Sequence, residues 1–206
     1  MSTVIERQQP AAAYADMDRE RVAHAFRGFL EALGLDLEEP NLIGTDDRVA
    51  RAYEELLGGM AAGAEPEIST FPNAAAYTDL VTVTSIPFYS LCSHHFLPFF
   101  GMAHIGYVPH ERLAGLSKLP RVVDYCARRP QLQERLTAQV ADLLQERLQP
   151  VGVIAVLEAR HLCMEMRGIS RPGVTTRTCV VRGDISASQR CDFLSSLPDT
   201  RASMGM

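Results

Sequence analysis

The spacing of hydrophobic residues is helical in the first part of the chain. Apolar side chains recur at helical spacing over residues 16–33, and Gly34 ends the run. Residues 44–59 predict a second helix, with Thr45 as its N-cap and two aspartates in its first turn. Residues 61–78 show no periodicity and predict a loop. We therefore expect an N-terminal region built from helices.

The spacing changes to strand-like alternation in the second part of the chain. Segments rich in β-branched and aromatic residues predict strands at 80–91, 101–109, 151–166 and 175–185. Between the second and third of these, residues 117–130 and 130–150 have helical spacing, and Pro130 suits the first position of the longer helix. This order of elements favours an α+β fold over repeating βαβ units.

The same patterns divide the chain into three regions. Residues 1–15 are rich in Ala and Gln without periodicity and predict a disordered tail. Residues 16–65 form the helical region. Residues 66–206 are expected to form one domain that carries the chemistry.

Composition is typical of a soluble globular protein, which we expect in the cytoplasm. The chain has 206 residues, of which 47% are hydrophobic and 22% charged. It has no apolar run long enough to cross a membrane and no signal-peptide core at its N-terminus. The net charge of −5 disfavours nucleic acid, so an anionic ligand would need a local cluster of cations. The five cysteines are odd in number and widely spaced, which does not suggest a disulfide framework.

Cys92 and His95 have the C-x-x-H spacing with which one turn can present two side chains to a metal ion. Every second residue from 151 onwards lies on one face of the strand predicted there, and this face is apolar until it ends in His161 and Cys163. Cys163 is therefore the candidate for the third ligand. A Cys₂His set leaves a fourth tetrahedral position for water, as in catalytic zinc sites. The alternative is that these cysteines are small buried hydrophobic residues, as we expect of Cys126, Cys179 and Cys191.

The remaining polar residues of these segments suggest proton transfer and anion binding. His94 and His161 lie next to the ligand positions and are candidates for moving protons near neutral pH. Lys118 is the only lysine among 20 basic residues, and its neighbours include other polar and cationic groups. The candidate phosphate contacts are Ser117, Lys118 and Arg121 at a helix start, Arg48 and Arg51 on one helix face, and Arg167. Glu134 is either a favourable charge near a helix N-terminus or a carboxylate that binds a guanine-like edge.

Three blocks of sequence, residues 92–101, 106–137 and 158–169, together resemble the zinc-dependent GTP cyclohydrolase I family. The resemblance covers roughly residues 16–195, and the spacing between the blocks fits as well. It implies the tunnelling fold, an antiparallel sheet with two helices packed on one side, preceded by N-terminal helices. It also implies a ring-shaped homodecamer of two pentamers, with active sites at subunit interfaces.

The resemblance implies an activity and a role for each site residue. GTP and water would yield 7,8-dihydroneopterin triphosphate and formate, through zinc-activated water attack at C8 of guanine, ring opening, deformylation and reclosure. One zinc ion per subunit would be held by Cys92, His95 and Cys163. His94, His161 and Ser117 match catalytic residues, and Glu134 matches the guanine anchor. Lys118, Arg121 and Arg167 match contacts to ribose and triphosphate, with Arg48 and Arg51 reaching in from a neighbouring subunit.

The chain departs from the family at Ser93, because the usual motif reads Cys-Glu-His-His. Serine carries no charge, so the surroundings of the zinc would differ. The stretch after Arg171 departs as well. An alternative function is therefore a specialised paralogue that acts on GTP for a 7-deazapurine or another secondary pathway. A second alternative is a non-enzymatic zinc module, which would need a fourth protein ligand beyond the three identified.

Overall fold

A computed structural model describes residues 17–198 of the chain. These residues form two compact units, one ending at Ala64 and the other beginning at Glu65. The tail expected at residues 1–15 lies outside the described residues. No helix in the described part of the chain has the length and apolar character needed to cross a membrane.

The first unit consists of helix α1 (Arg19–Ala32), helix α2 (Thr45–Leu56) and a short 3₁₀ turn (Gly58–Met60). Asp18 caps α1, because its side chain accepts a hydrogen bond from the backbone N–H of Arg21. The N-cap predicted for α2 was wrong by one residue. Gly44 occupies that position in the left-handed conformation, with φ of 72°, and Thr45 is already helical.

The second unit is built on a five-stranded sheet with the strand order β5-β2-β3-β6-β7. Its strands are β2 (Val81–Cys92), β3 (Pro98–Val108), β5 (Pro130–Gln131), β6 (Gly152–His161) and β7 (Thr175–Gly183). All neighbours pair antiparallel except β2 and β5, which are parallel. A separate antiparallel pair is formed by β1 (Thr70–Pro72) and β4 (Arg112–Ala114), so the loop expected at residues 61–78 contains a short strand.

Two helices cover one face of the sheet, as the sequence predicts. They are α3 (Lys118–Ala127) and α4 (Gln133–Leu148). Leu119, Val122 and Val123 of α3 and Leu136 and Val140 of α4 are fully buried in the core. The expectation that α4 begins at Pro130 was wrong. Pro130 lies in β5 because its backbone pairs with the end of β2, and the helix starts at Gln133.

The opposite face of the sheet is covered by a helix that the sequence analysis did not identify. This helix is α6 (Ala187–Ser196), and its Phe193 packs against Ile154 and Val156 of β6. Every residue of β6 from Gly152 to Ala159 is consequently buried. β6 thus has apolar contacts on both faces.

His104 lies in this sheet and is completely buried, so it is a packing residue. Its Nδ1 accepts a hydrogen bond from the backbone N–H of Ser85, at a bulge in β2, across 3.2 Å. Its Nε2 has no hydrogen-bond partner and lies 3.8 Å from Glu158, which is ion-paired with Arg177. Burial lowers the pKa of His104, and the Glu158 carboxylate opposes this shift.

This buried imidazole should make the stability of the protein depend on pH. The unfolded chain binds a proton on His104 at a higher pH than the folded chain does, so folding is favoured above the unfolded pKa and weakens as pH falls. One such proton contributes a slope of at most about 1.4 kcal/mol per pH unit. In urea unfolding between pH 8 and pH 5.5 at fixed protein concentration, we expect His104→Gln to lose stability less steeply than wild type. Parallel curves for the two proteins would contradict this expectation.

Gly101 marks a second constraint, the close approach of β3 to β6. A Cβ atom at this position would lie 1.8 Å from the carbonyl oxygen of Glu158 and 2.7 Å from Cα of Ala159. Gly101→Ala should therefore destabilise the protein by roughly 3 kcal/mol or more, because backbone must move to make room. Gly28→Ala is the control, since no atom lies within 4 Å of the added methyl group in helix α1. Equal unfolding midpoints for the two variants would refute the assigned contact.

Candidate functional site

The turn between β2 and β3 carries two of the expected metal ligands. Cys92 is the last residue of β2, and its N–H donates to the carbonyl of Leu97 across 2.9 Å. The N–H groups of His95 and Phe96 both donate back to the Cys92 carbonyl, at 3.3 Å and 2.8 Å. Phe96 has a positive φ of 54°, which lets the chain reverse into β3. This closed turn brings Cys92 and His95 to the same side.

The third expected ligand, Cys163, is not on a strand. β6 ends at His161, and Cys163 lies in the one-turn helix α5 (Leu162–Glu165) that follows. The prediction that the strand continues to residue 166 was therefore wrong. Arg160 and Glu165 form a two-point ion pair, with N···O distances of 2.8 Å and 2.6 Å, which holds α5 against the end of β6.

Within the described residues, Cys92, His95 and Cys163 form a group whose ligand atoms all lie within 4.8 Å of one another. The nitrogen of His95 nearer to the thiol is Nδ1, 3.8 Å from Sγ of Cys92. Burial raises the pKa of the Cys163 thiol, the neighbouring Cys92 raises it further, and the Arg167 guanidinium opposes both. Two sulfurs and one imidazole make a donor set suited to a divalent metal such as zinc, so this group could hold a metal ion.

The two adjacent histidines are oriented differently and differ in their place relative to the ligand group. The ring planes of His94 and His95 are nearly perpendicular, at 80°, and their centroids are 6.1 Å apart. His94 is exposed and does not belong to the ligand group. It is therefore available to contact a substrate.

His161 is held in place on two sides. Its ring stacks on Phe99 at 4.7 Å with an interplanar angle of 4°, and its Nε2 lies 2.8 Å from Oε1 of Gln133. Burial lowers its pKa, while the carboxylates of Glu134 and Glu165 oppose the shift. Glu134 is exposed in the first turn of α4.

The residues expected to contact ribose or phosphate lie in three parts of the chain. Ser117 and Arg121 are exposed and Lys118 half-buried at the start of α3. Arg167 follows α5, and its guanidinium contacts Nε2 of His95, so it lies directly beside the ligand group.

Arg48 and Arg51 belong to the first unit, where both make local contacts. Arg48 donates to the Ile43 carbonyl and the Thr45 hydroxyl, at 2.8 Å and 2.6 Å. Arg51 pairs with Asp47 at 2.9 Å.

Several residues around the site were missed by sequence reasoning. Gln133 is buried, and its amide nitrogen donates to the carbonyls of Leu157 and Thr176. The signal for it was a polar residue on the apolar face of a predicted helix. Arg135, which contacts Ser93, and the Arg160–Glu165 pair gave no such signal, because their partners are set by the tertiary fold.

The family model and the curated relatives agree on one family. The family model described as GTP cyclohydrolase I matches residues 22–197. A GTP cyclohydrolase 1 of Clostridioides difficile (strain 630) is 50% identical over 168 residues, covering 81% of this chain and 88% of the relative. A GTP cyclohydrolase 1 of Thermobifida fusca (strain YX) is 48% identical over 180 residues, covering 86% of each. An archaeosine synthase QueF-Like crystal structure in the apo form aligns with a TM-score of 0.44 and 16% identity, covering 52% of this chain and 97% of that one.

The geometry of the ligand group predicts different outcomes for its cysteine and for the neighbouring histidine. Cys163→Ala removes one of three donors and should abolish stoichiometric metal content, measured by elemental analysis of the purified protein. His94→Ala should keep the metal content of wild type, because His94 lies outside the group. Cys191→Ala is the control, since Cys191 is exposed on α6 rather than buried as the sequence analysis expected. A metal-free His94→Ala protein would contradict the placement of His94 outside the ligand group.

Proposed function

The chain belongs to the GTP cyclohydrolase I family, and we propose that it hydrolyses GTP to 7,8-dihydroneopterin triphosphate and formate. The observation that carries this proposal is the convergence of Cys92, His95 and Cys163 beside a histidine that is outside the group. The paralogue serving another pathway is not favoured, because the relatives at 45–50% identity are named GTP cyclohydrolase 1.

We propose that Cys92, His95 and Cys163 hold one zinc ion per subunit. A zinc ion held there would supply Lewis acidity, the chemistry that lets water act as a nucleophile toward C8 of guanine at neutral pH. The closed turn after β2 positions Cys92 and His95, and the ion pair at α5 positions Cys163, without a bound metal ion. Of the three ligand residues, His95 is exposed. The side of the metal site at His95 is therefore accessible to substrate.

Two histidines are proposed to move protons. His94 is exposed beside the ligand group and would protonate N7 of the guanine imidazole ring as it opens. The amide nitrogen of Gln133 already donates to two backbone carbonyls, so its oxygen faces His161 and accepts the Nε2 proton. Nδ1 of His161 is then an acceptor, and burial favours this neutral form. His161 is thus suited to act as a base.

Substrate binding is assigned to side chains around this centre. The exposed Glu134 carboxylate, in the first turn of α4, would accept two N–H bonds from the guanine edge. Lys118, Arg121 and Arg167 would bind the triphosphate, and Ser117 at the start of α3 would assist opening of the ribose. Arg48 and Arg51 are proposed to contribute from the first unit of a neighbouring subunit.

A ring of subunits, a decamer of two pentamers, is proposed as the assembly. The support is the pair of open sheet edges in the second unit. Among the described residues, β7 pairs only with β6, and β2 pairs with β5 only at its last two residues. Open edges of this length present unpaired backbone groups that a strand of another subunit can satisfy.

The proposed function is tested by incubating metal-loaded protein with GTP and measuring formate together with the fluorescence of the oxidised pterin. We expect both products from GTP and neither from ATP. Glu134→Gln should lower kcat/KM by roughly 100-fold, because an amide cannot accept two N–H bonds as a carboxylate does. Glu146→Gln is the matched control, an exposed carboxylate of the same helix that pairs with Arg147. Absence of formate from metal-loaded wild type would rule the function out.

A further inference from the structure

We propose that Arg135 is a positioning residue that holds the metal-binding turn through Ser93. The proposal rests on the proposed zinc site. Arg135 lies on α4, is half-buried and is not a member of the ligand group. Its guanidinium reaches the one residue that directly follows Cys92.

The guanidinium of Arg135 donates to three acceptors on two segments. Nε donates to the side-chain oxygen of Gln131 across 2.7 Å. The nitrogen Nη2 donates to the carbonyl of Pro130 at 2.5 Å and to the hydroxyl of Ser93 at 3.3 Å. A planar, forked donor is needed to reach acceptors placed this way, and a lysine ammonium could not satisfy all three.

The acceptors on β5 are themselves fixed. Gln131 is completely buried, and its amide nitrogen donates to the Cys126 carbonyl at 2.8 Å and to Gln139 at 2.7 Å. Its amide is thereby oriented, with the oxygen left to accept from Arg135. The guanidinium is therefore anchored to a rigid frame rather than to a mobile loop.

The same frame contacts the ligand turn through its backbone. β5 pairs with the end of β2, with Cys92 opposite Gln131, and the Ser93 N–H donates to the Gln131 carbonyl at 2.9 Å. The Arg135 contact adds a side-chain bond to the same residue, Ser93. Ser93 is thus fixed through both backbone and side chain, immediately beside the Cys92 ligand. Loss of Arg135 should let the turn rotate and should weaken metal binding without removing a ligand.

The test measures the zinc dissociation constant of the metal-free full chain by competition with a chromophoric chelator. Groups that orient metal ligands typically contribute 10- to 100-fold in affinity, and we expect at least a 10-fold loss in Arg135→Gln. Arg135→Lys should lose a similar amount, because it keeps the charge but not the fork. Cobalt(II) absorption spectra of the same proteins should show an altered thiolate-to-metal charge-transfer band. The band reports ligand geometry independently of activity.

Two controls keep the outcome interpretable. Arg128→Gln removes a half-buried arginine at the C-cap of α3 that pairs with Asp124, and it should leave zinc affinity unchanged. In the Ser93→Ala background, Arg135→Gln should cost less affinity than in wild type, because one of its contacts is already gone. Circular dichroism of the metal-free variants checks that the fold is retained.

Other outcomes would overturn the inference. If wild type binds zinc and Arg135→Gln binds it within twofold, Arg135 does not position the turn. If Arg135→Lys keeps wild-type affinity, charge rather than the three-point contact is responsible. If Arg128→Gln loses as much zinc affinity as Arg135→Gln, the loss does not depend on the contact with Ser93. Failure of wild type to bind zinc would instead refute the metal site itself.

Discussion

The register between β3 and β6 is the constraint on which the site depends. β3 begins just after the turn that carries Cys92 and His95, and β6 ends two residues before Cys163. Antiparallel pairing sets Phe99 opposite His161, and so brings the two ends together. A slip of one residue would turn every side chain of β6 to the other face of the sheet. The three candidate metal ligands are therefore brought together by strand pairing between segments that are far apart in sequence.

That register is protected by packing on both faces of the sheet. The α3 and α4 core buries one face, and Phe193 of α6 covers Ile154 and Val156 on the other. Behind His161, buried polar groups add a specific constraint. Gln133 bonds to β6 and β7, and the hydroxyls of Thr137 and Thr178 lie 2.6 Å apart. Buried polar groups are costly when unpaired, so these contacts hold α4 in one position relative to the sheet.

Sequence patterns predicted the elements whose residues have local signals. The α+β class, the helices α3 and α4 and the four long strands follow from spacing that one can see along the chain. The short strand β5 could not be predicted, because its two residues are defined by pairing with β2. Helix α6 has few apolar residues, but Ser186 and Gln189 form a capping box that could have indicated it. The candidate ligand Cys163 was found although the strand reasoning behind it was wrong, since a one-turn helix after β6 still presents its thiol near Cys92.

The distribution of ion pairs explains how a chain with a net charge of −5 could hold a triphosphate. Several arginines with structural roles are matched by carboxylates, as in Arg160 with Glu165 and Arg177 with Glu158. Among residues 17–198, no carboxylate lies within ion-pair distance of Lys118, Arg121 or Arg167. A phosphate would therefore gain these cations without breaking an existing pair. The effect of more distant negative charge on these cations is weakened by screening over about 8–10 Å. The local placement of a few unmatched cations, rather than net charge, would thus account for the proposed binding of an anion.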